Sequence, residues 1–155
     1  TEMVTGVDLV REQLRVAAGR RLELTDDDVR PRGVAVECRV NAENPERDFA
    51  PSPGVLTEFV SPAGPFVRVD SHAYPGWRVP SEYDSLLAKV VCWAPDRAAA
   101  LARMRRALGE LRVGGVHTTQ RLLLSILDHP DFVTGRHTTA FLREAGVRVG
   151  ASSSG

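Results

Sequence analysis

Apolar and polar side chains alternate with a period of two from residue 34 onward. The apolar positions run from Val34 to Val40, and Glu37 and Arg39 lie between them. This alternation is typical of a β-strand that buries one face and exposes the other.

Three further runs predict strands, and the first is a short one around Leu56 to Val60. Residues 66–72 place Arg68, Asp70 and His72 on one face, and residues 86–93 are almost continuously apolar except for Lys89. Turn sequences such as PSPG and PAGP separate the runs. Short runs with tight turns favour an antiparallel sheet.

Apolar residues at helical spacing occur both before and after these strands in the sequence. Near the start, Val10, Leu14 and Ala17 share a face, with residues 5–8 predicted as a capping box and Gly19 as the stop.

A second helix is predicted to begin at Asp96 and to end at Gly114–Gly115. Its core-facing stripe consists of Leu101, Met104, Leu108 and Leu111. Residues 120–128 form a third predicted helix, capped by Thr118 or Thr119, and a last short helix ends at Gly146. The order helix, antiparallel strands, helices predicts an α+β domain over residues 1–146, with 147–155 as a flexible tail or linker.

Composition narrows the class of protein. Basic and acidic residues are equal in number, at 20 each, which gives no electrostatic preference for nucleic acid. No apolar run reaches the roughly 20 residues that cross a membrane. Cys38 and Cys92 fall in apolar strands, so two buried reduced thiols in a cytoplasmic protein are expected. The four histidines show no metal-ligand spacing, so no metal site is predicted.

Six stretches resemble successive parts of biotin carboxylase, in that family's order. They are TEMVTGVDLVREQLRVAAG, GVAVECRVNAENP, FAPSPGVLTEF, VRVDSHAYPGWRVPSEYDSLLAKVVCW, RMRRALGEL and GVHTTQRLLLSILDHPDFVTGRHTTAFL. The resemblance implies the C-terminal domain of an ATP- and bicarbonate-dependent ligase that carboxylates biotin on a carrier protein. It leaves open which carboxylase the parent is.

The resemblance also implies what this chain lacks. In that family the ATP and Mg²⁺ sites lie upstream, so this chain alone is expected to bind neither ATP nor Mg²⁺ and to be inactive. Implied partners are the upstream ATP-grasp lobe, the biotin carboxyl carrier domain, the carboxyltransferase component and a second copy in a homodimer. An alternative function is a non-catalytic docking module of the assembly.

Arg68 is the predicted catalytic residue, because the resemblance places it near bicarbonate and the ureido ring of biotin. A guanidinium stays protonated and can stabilise the charge that forms on the ureido oxygen. Glu37, Arg39 and Asp70 are predicted to support the pocket; an ordinary solvated strand face is the alternative. His72 as a general base is a weaker hypothesis.

Trp93 and Arg97 are predicted to contribute to a dimer interface, since the resemblance places such a contact here and these residue types often anchor interfaces. Asp84 is expected to bond backbone groups at a turn. Lys89, within an apolar run, is expected to form a structural ion pair.

Overall fold

A three-stranded antiparallel sheet forms the centre of the fold. A computed structural model describes residues 1–144 and 146, so the tail predicted at 147–155 lies outside the described residues. Strand β8 (Leu86–Ala94) lies between β1 (Val34–Asn41) and β6 (Val67–Ser71). Three of the four predicted strands are therefore confirmed in this sheet, each with slightly different ends, and the fourth, around Leu56 to Val60, is confirmed as β5 (Glu58–Val60).

Helix α3 (Arg97–Glu110) covers the buried face of this sheet. It begins after Asp96, whose side chain accepts a hydrogen bond from the backbone N–H of Ala99 at 2.8 Å. The predicted stripe on α3 is confirmed as core. The main core cluster contains Val36, Cys38, Val40, Val90, Cys92, Ala94, Ala100, Leu101, Met104, Ala107, Leu108, Leu111 and Leu127.

The predicted end of this helix at Gly114–Gly115 was wrong. Helix α3 ends at Glu110, and β9 (Arg112–Gly114) pairs antiparallel with β5 (Glu58–Val60). At Gly115, φ is +92° and an added Cβ would lie 2.1 Å from the carbonyl oxygen of Val55. The glycines therefore allow a close backbone approach between two segments and do not end the helix.

Short two-stranded ladders surround the main sheet. Strand β2 (Glu43–Asn44) pairs with β3 (Ala50–Pro51), with a 3₁₀ helix at Pro45–Arg47 between them. Strand β4 (Gly54–Val55) pairs with β7 (Arg78–Val79). A second buried cluster lies in this region and consists of Ala42, Leu56, Val79 and Leu87.

Three helices complete the described part of the fold. Helix α4 (Gln120–Asp128) has the predicted bounds, α5 (Pro130–Val133) was not predicted, and α6 (Phe141–Glu144) is the last. Thr119 stands at the N-cap of α4, but its hydroxyl accepts a hydrogen bond from the backbone N–H of Asn41 at 3.0 Å. It thus ties α4 to β1. The α+β class is confirmed.

The N-terminal segment differs most from expectation. Helices α1 (Glu2–Thr5) and α2 (Leu9–Ala17) contain no buried residue. The predicted capping box was wrong, because Asp8 is the N-cap of α2 and accepts from the N–H of Arg11 at 2.9 Å. Gly19 follows α2 with φ +79°, as expected of a stop. None of the helices among the described residues is both long and apolar enough to cross a membrane.

Candidate active-site face of the sheet

The outer face of the main sheet brings together the polar strand residues predicted from the sequence. In the strand register, Lys89 is directly opposite Arg39 on one side and Asp70 on the other, and Val91 is opposite Glu37 and Arg68. Directly opposed residues point to the same face of a sheet. We call this surface the polar face, formed by Glu37, Arg39, Arg68, Asp70 and Lys89.

Two carboxylates hold the guanidinium of Arg68. Its Nε donates to Oδ1 of Asp70 at 2.8 Å, and its Nη1 donates to Oε2 of Glu2. Glu2 also accepts from the backbone N–H of Leu9 at 3.0 Å. Through Glu2, Arg68 connects the edge strand β6 to the N-terminal helices.

These contacts shift the ionisation of both partners. The hydrogen bond from Arg68 lowers the pKa of Glu2, and the backbone N–H of Leu9 adds to the effect. The hydrogen bonds to Asp70 and Glu2 raise the pKa of Arg68. The ion-paired state is therefore the stable one near neutral pH.

The ion pair of Arg39 is longer than the ion pair between Arg68 and Asp70. The Nη2 of Arg39 lies 3.6 Å from Oδ2 of Asp84, beyond hydrogen-bond distance, and about half of its side chain is exposed. Asp84 also accepts from the backbone N–H of Leu86 at 2.8 Å, which confirms the expected turn contact. The N–H donors of Arg39 make no hydrogen bond within residues 1–144 and 146, so they are available to a ligand.

The ion pair expected for Lys89 was not found. Lys89 lies on the polar face and is half-buried, with no carboxylate oxygen within 4.0 Å in the described part of the chain. The run around it is apolar because alternate residues of β8 enter the core, while Lys89 faces outward. Its ammonium therefore needs no partner in the protein.

Glu37 and His72 are not among the described partners of Arg68, which are Asp70 and Glu2. Glu37 is exposed and forms no ion pair with any described residue, including Arg68. His72 follows β6 and packs edge-on against Trp77, with ring centroids 4.7 Å apart.

The two predicted interface residues have different surroundings. The indole N–H of Trp93 donates to the carbonyl of Arg32 at 2.7 Å, and its ring lies 5.0 Å from that of Phe66. Trp93 also lines an open groove beside α1. Arg97, by contrast, donates to the carbonyls of Phe132 and Val133, so its guanidinium serves to fix α5.

Comparison with known proteins decides the family. The family model for the biotin carboxylase C-terminal domain matches residues 37–144. The chain belongs to this family. It is 50% identical to a biotin carboxylase of Nostoc sp. over 144 residues, which cover 93% of this chain and 32% of that protein. Biotin carboxylase 1 of Bacillus subtilis is also 50% identical, over 142 residues.

Solved structures of biotin carboxylases have the same fold. The biotin carboxylase domain dimer of Hydrogenobacter thermophilus 2-oxoglutarate carboxylase, in complex with MgADP, ADP and bicarbonate, gives a TM-score of 0.94 at 41% identity. That comparison covers 98% of this chain and 34% of the other. The biotin carboxylase subunit of a pyruvate carboxylase gives 0.91 at 43% identity. The present chain thus spans about a third of the biotin carboxylases that it matches.

Proposed function

We propose that this chain is the C-terminal part of a biotin carboxylase and that its polar face forms part of the pocket for bicarbonate and biotin. The observation that carries the proposal is the presence of Arg39, Arg68 and Lys89 on one face of a rigid sheet in a member of this family. The remainder of the enzyme would supply the sites for ATP and Mg²⁺.

Both proposed ligands require positive charge. Bicarbonate is an anion, and removal of the N1′ proton of biotin places negative charge on the ureido oxygen. Fixed cations near developing charge lower the barrier, because they need no reorganisation during the reaction. A guanidinium is suited to this task because it stays protonated at any working pH and offers several N–H donors.

The contacts of the two arginines favour Arg39 over Arg68 as the residue that contacts the anion directly. Arg68 was predicted from the sequence, but two of its nitrogens already donate to carboxylates. Within the described part of the chain, Arg39 has free donors and lies directly across from Lys89, which forms no ion pair there. We therefore propose that Arg39 contacts the anion, assisted by Lys89, and that Arg68 and Asp70 position the edge of the pocket.

Alanine substitutions in the full-length enzyme test this assignment. Arg39→Ala is expected to lower kcat/KM for free biotin by about 100-fold or more, in the range of a lost oxyanion donor. Arg68→Ala should cost roughly tenfold, because it disturbs positioning only. Arg78→Ala, an exposed arginine of β7, serves as the control and should leave the rate unchanged.

Each outcome of this experiment has a distinct meaning. A larger loss from Arg68→Ala than from Arg39→Ala would restore Arg68 as the catalytic residue. Unchanged rates in both variants would contradict a role of the polar face in the pocket and would support the non-catalytic docking module. The thermal midpoint of each variant should be measured, so that a folding defect is recognised.

The proposed assembly follows from the family. We propose a cytoplasmic homodimer that works with a biotin carboxyl carrier domain and a carboxyltransferase component. The solved dimer of the Hydrogenobacter domain supports the proposed homodimer. The open groove at Trp93 is the surface that we propose for the dimer contact; the carbonyl contacts of Arg97 make it the weaker of the two interface residues.

A further inference from the structure

Helix α2 turns its apolar side to solvent and its polar side to the rest of the chain. Val10 is 60% exposed and Leu14 is 67% exposed. On the other side, the side chains of Glu12 and Arg15 are only 16% and 25% exposed. A helix at the surface of a complete globular unit has the opposite arrangement.

The polar side of α2 is held by ion pairs within the chain. Arg15 bonds Glu12 at 3.4 Å and Glu23 at 2.6 Å, and both carboxylates raise the pKa of Arg15. This network fixes which side of the helix faces outward. Val10 and Leu14 lie four positions apart on the same side of the helix and line an open groove together with Ala18. We call these three residues the α2 patch.

Helix α2 precedes the part of the chain that the family model matches. The model of the C-terminal domain begins at residue 37, so α2 lies outside it. The alignment to the Nostoc enzyme nevertheless covers 93% of the chain and therefore extends into the residues before 37. Since the matched domain is C-terminal, most of the remaining length of the relatives precedes it.

We propose that the α2 patch docks onto the preceding two thirds of the biotin carboxylase polypeptide. This inference rests on the proposed function, because it requires the chain to be part of the longer enzyme. Exposed large apolar side chains that line one groove, as Val10 and Leu14 do, mark a site of contact. Besides Asp8 and Arg15, the groove along the patch is lined by Arg11 and Arg20, which form no ion pair with a described residue, so we expect the covering surface to be apolar with acidic side chains opposite these two arginines.

Cysteine labelling tests the docking. Leu14→Cys is introduced into the 155-residue chain and into the full-length enzyme, and both are treated with a maleimide under native conditions. Cys38 and Cys92 are buried, which keeps the background from this part low. Labelling at residue 14, read by peptide mass spectrometry, should be about 100-fold slower in the full-length enzyme, as expected for a site exposed only by local opening.

A matched control removes the effect of chain length. Leu142→Cys replaces a leucine that is 45% exposed and lies in α6. It should label at similar rates in both proteins. Equal labelling at residue 14 in both proteins would overturn the proposal. Slow labelling in the 155-residue chain that depends on protein concentration would also overturn it, by assigning the patch to a second copy.

A pair of substitutions gives an independent measurement. Leu14→Met keeps an apolar side chain, and Leu14→Gln introduces a polar one with similar helix propensity. In the full-length enzyme, only Leu14→Gln should lower the thermal midpoint, by about 3 °C or more. Neither should change the midpoint of the 155-residue chain, and a Leu14→Gln effect confined to that chain would contradict the docking.

These readouts do not depend on catalysis. If Arg39→Ala and Arg68→Ala leave the rate unchanged but residue 14 is protected, the proposed pocket fails and the docking stands. If residue 14 labels freely in an enzyme that loses activity with Arg39→Ala, the docking alone fails.

Discussion

Burial changes the chemistry of the two cysteines. Cys38 is 5% exposed and Cys92 is fully buried, and desolvation raises the thiol pKa to about 12 in Cys38 and to about 11 in Cys92. For Cys92, the positive charge of Arg103 partly opposes this rise. Both thiols therefore stay protonated at neutral pH and act as small apolar groups of the core.

The raised thiol pKa predicts a loss of stability in alkali. Above about pH 9 the unfolded chain releases the Cys38 proton while the folded chain retains it, until about pH 12. Between these values the free energy of unfolding should fall by up to about 1.4 kcal/mol per pH unit from this thiol. Urea denaturation of the wild type and of Cys38→Ala, at stepped pH, measures the difference in slope. Parallel slopes would contradict the buried-thiol account.

Single-residue contacts were predictable only where they are local. Arg68 and Asp70 are two positions apart on one strand, so alternation alone places them together. Glu2 was missed because 66 residues separate it from Arg68 and no periodic pattern connects them. Lys89 was misjudged because an apolar run does not show which of its residues faces outward.

Arginines of α3 fix the elements around it. The guanidinium of Arg103 donates to the carbonyl of Trp93, and that of Arg105 donates to the carbonyl of Leu127 at 2.5 Å. Arg97 does the same for α5. The carbonyls of Leu127, Phe132 and Val133 lie in the last turns of α4 and α5, where helix carbonyls have no partner within the helix. Helix α3 therefore holds both the sheet and the C-terminal helices.

The N-caps of α3 and α2 should differ in their effect on stability. Asp96→Ala removes the cap of a helix that packs on the core, so the free energy of unfolding should fall by about 1 kcal/mol. Asp8→Ala removes a similar cap from α2, which buries no residue in this chain. It should change the global unfolding transition by less than about 0.3 kcal/mol. Equal losses in urea denaturation would show that α2 unfolds together with the core.

Long, strongly periodic elements were the predictable ones. The existence of β1, β6, β8 and α3 followed from spacing, and the bounds of α4 followed from its capping threonine and from Pro130. Strand β9 did not, because three residues after a helix carry no period, and its pairing with β5 depends on a contact between distant segments. The capping box failed because Gly6 adopts a left-handed conformation that ends α1.

The two hydrophobic clusters join into one folding unit. Phe59 and Val113 pack against both the main cluster and the smaller one. They belong to β5, which the sequence predicted as a short strand, and to β9, which it did not predict. Unfolding one cluster removes the support of the other, so the elements that form the two clusters should unfold cooperatively.

Two tryptophans can report on this cooperativity separately. Trp77 packs against the smaller cluster, and Trp93 belongs to β8 of the main sheet. The single-tryptophan variants Trp93→Phe and Trp77→Phe should each show one fluorescence transition. Each midpoint in urea should coincide with the circular dichroism midpoint of the same variant. Separate midpoints for the two probes would show that the clusters unfold independently.

The chain contains one lysine, and it stands in the middle of the polar face. Apart from the amino terminus, an amine-selective acylating reagent therefore has a single target in this polypeptide. Lys89 is half-buried and has no carboxylate partner among the described residues, so its modification reports directly on access to the surface between Arg39 and Asp70. Acylation of Lys89 can therefore serve as a chemical footprint of the pocket that we propose on the polar face.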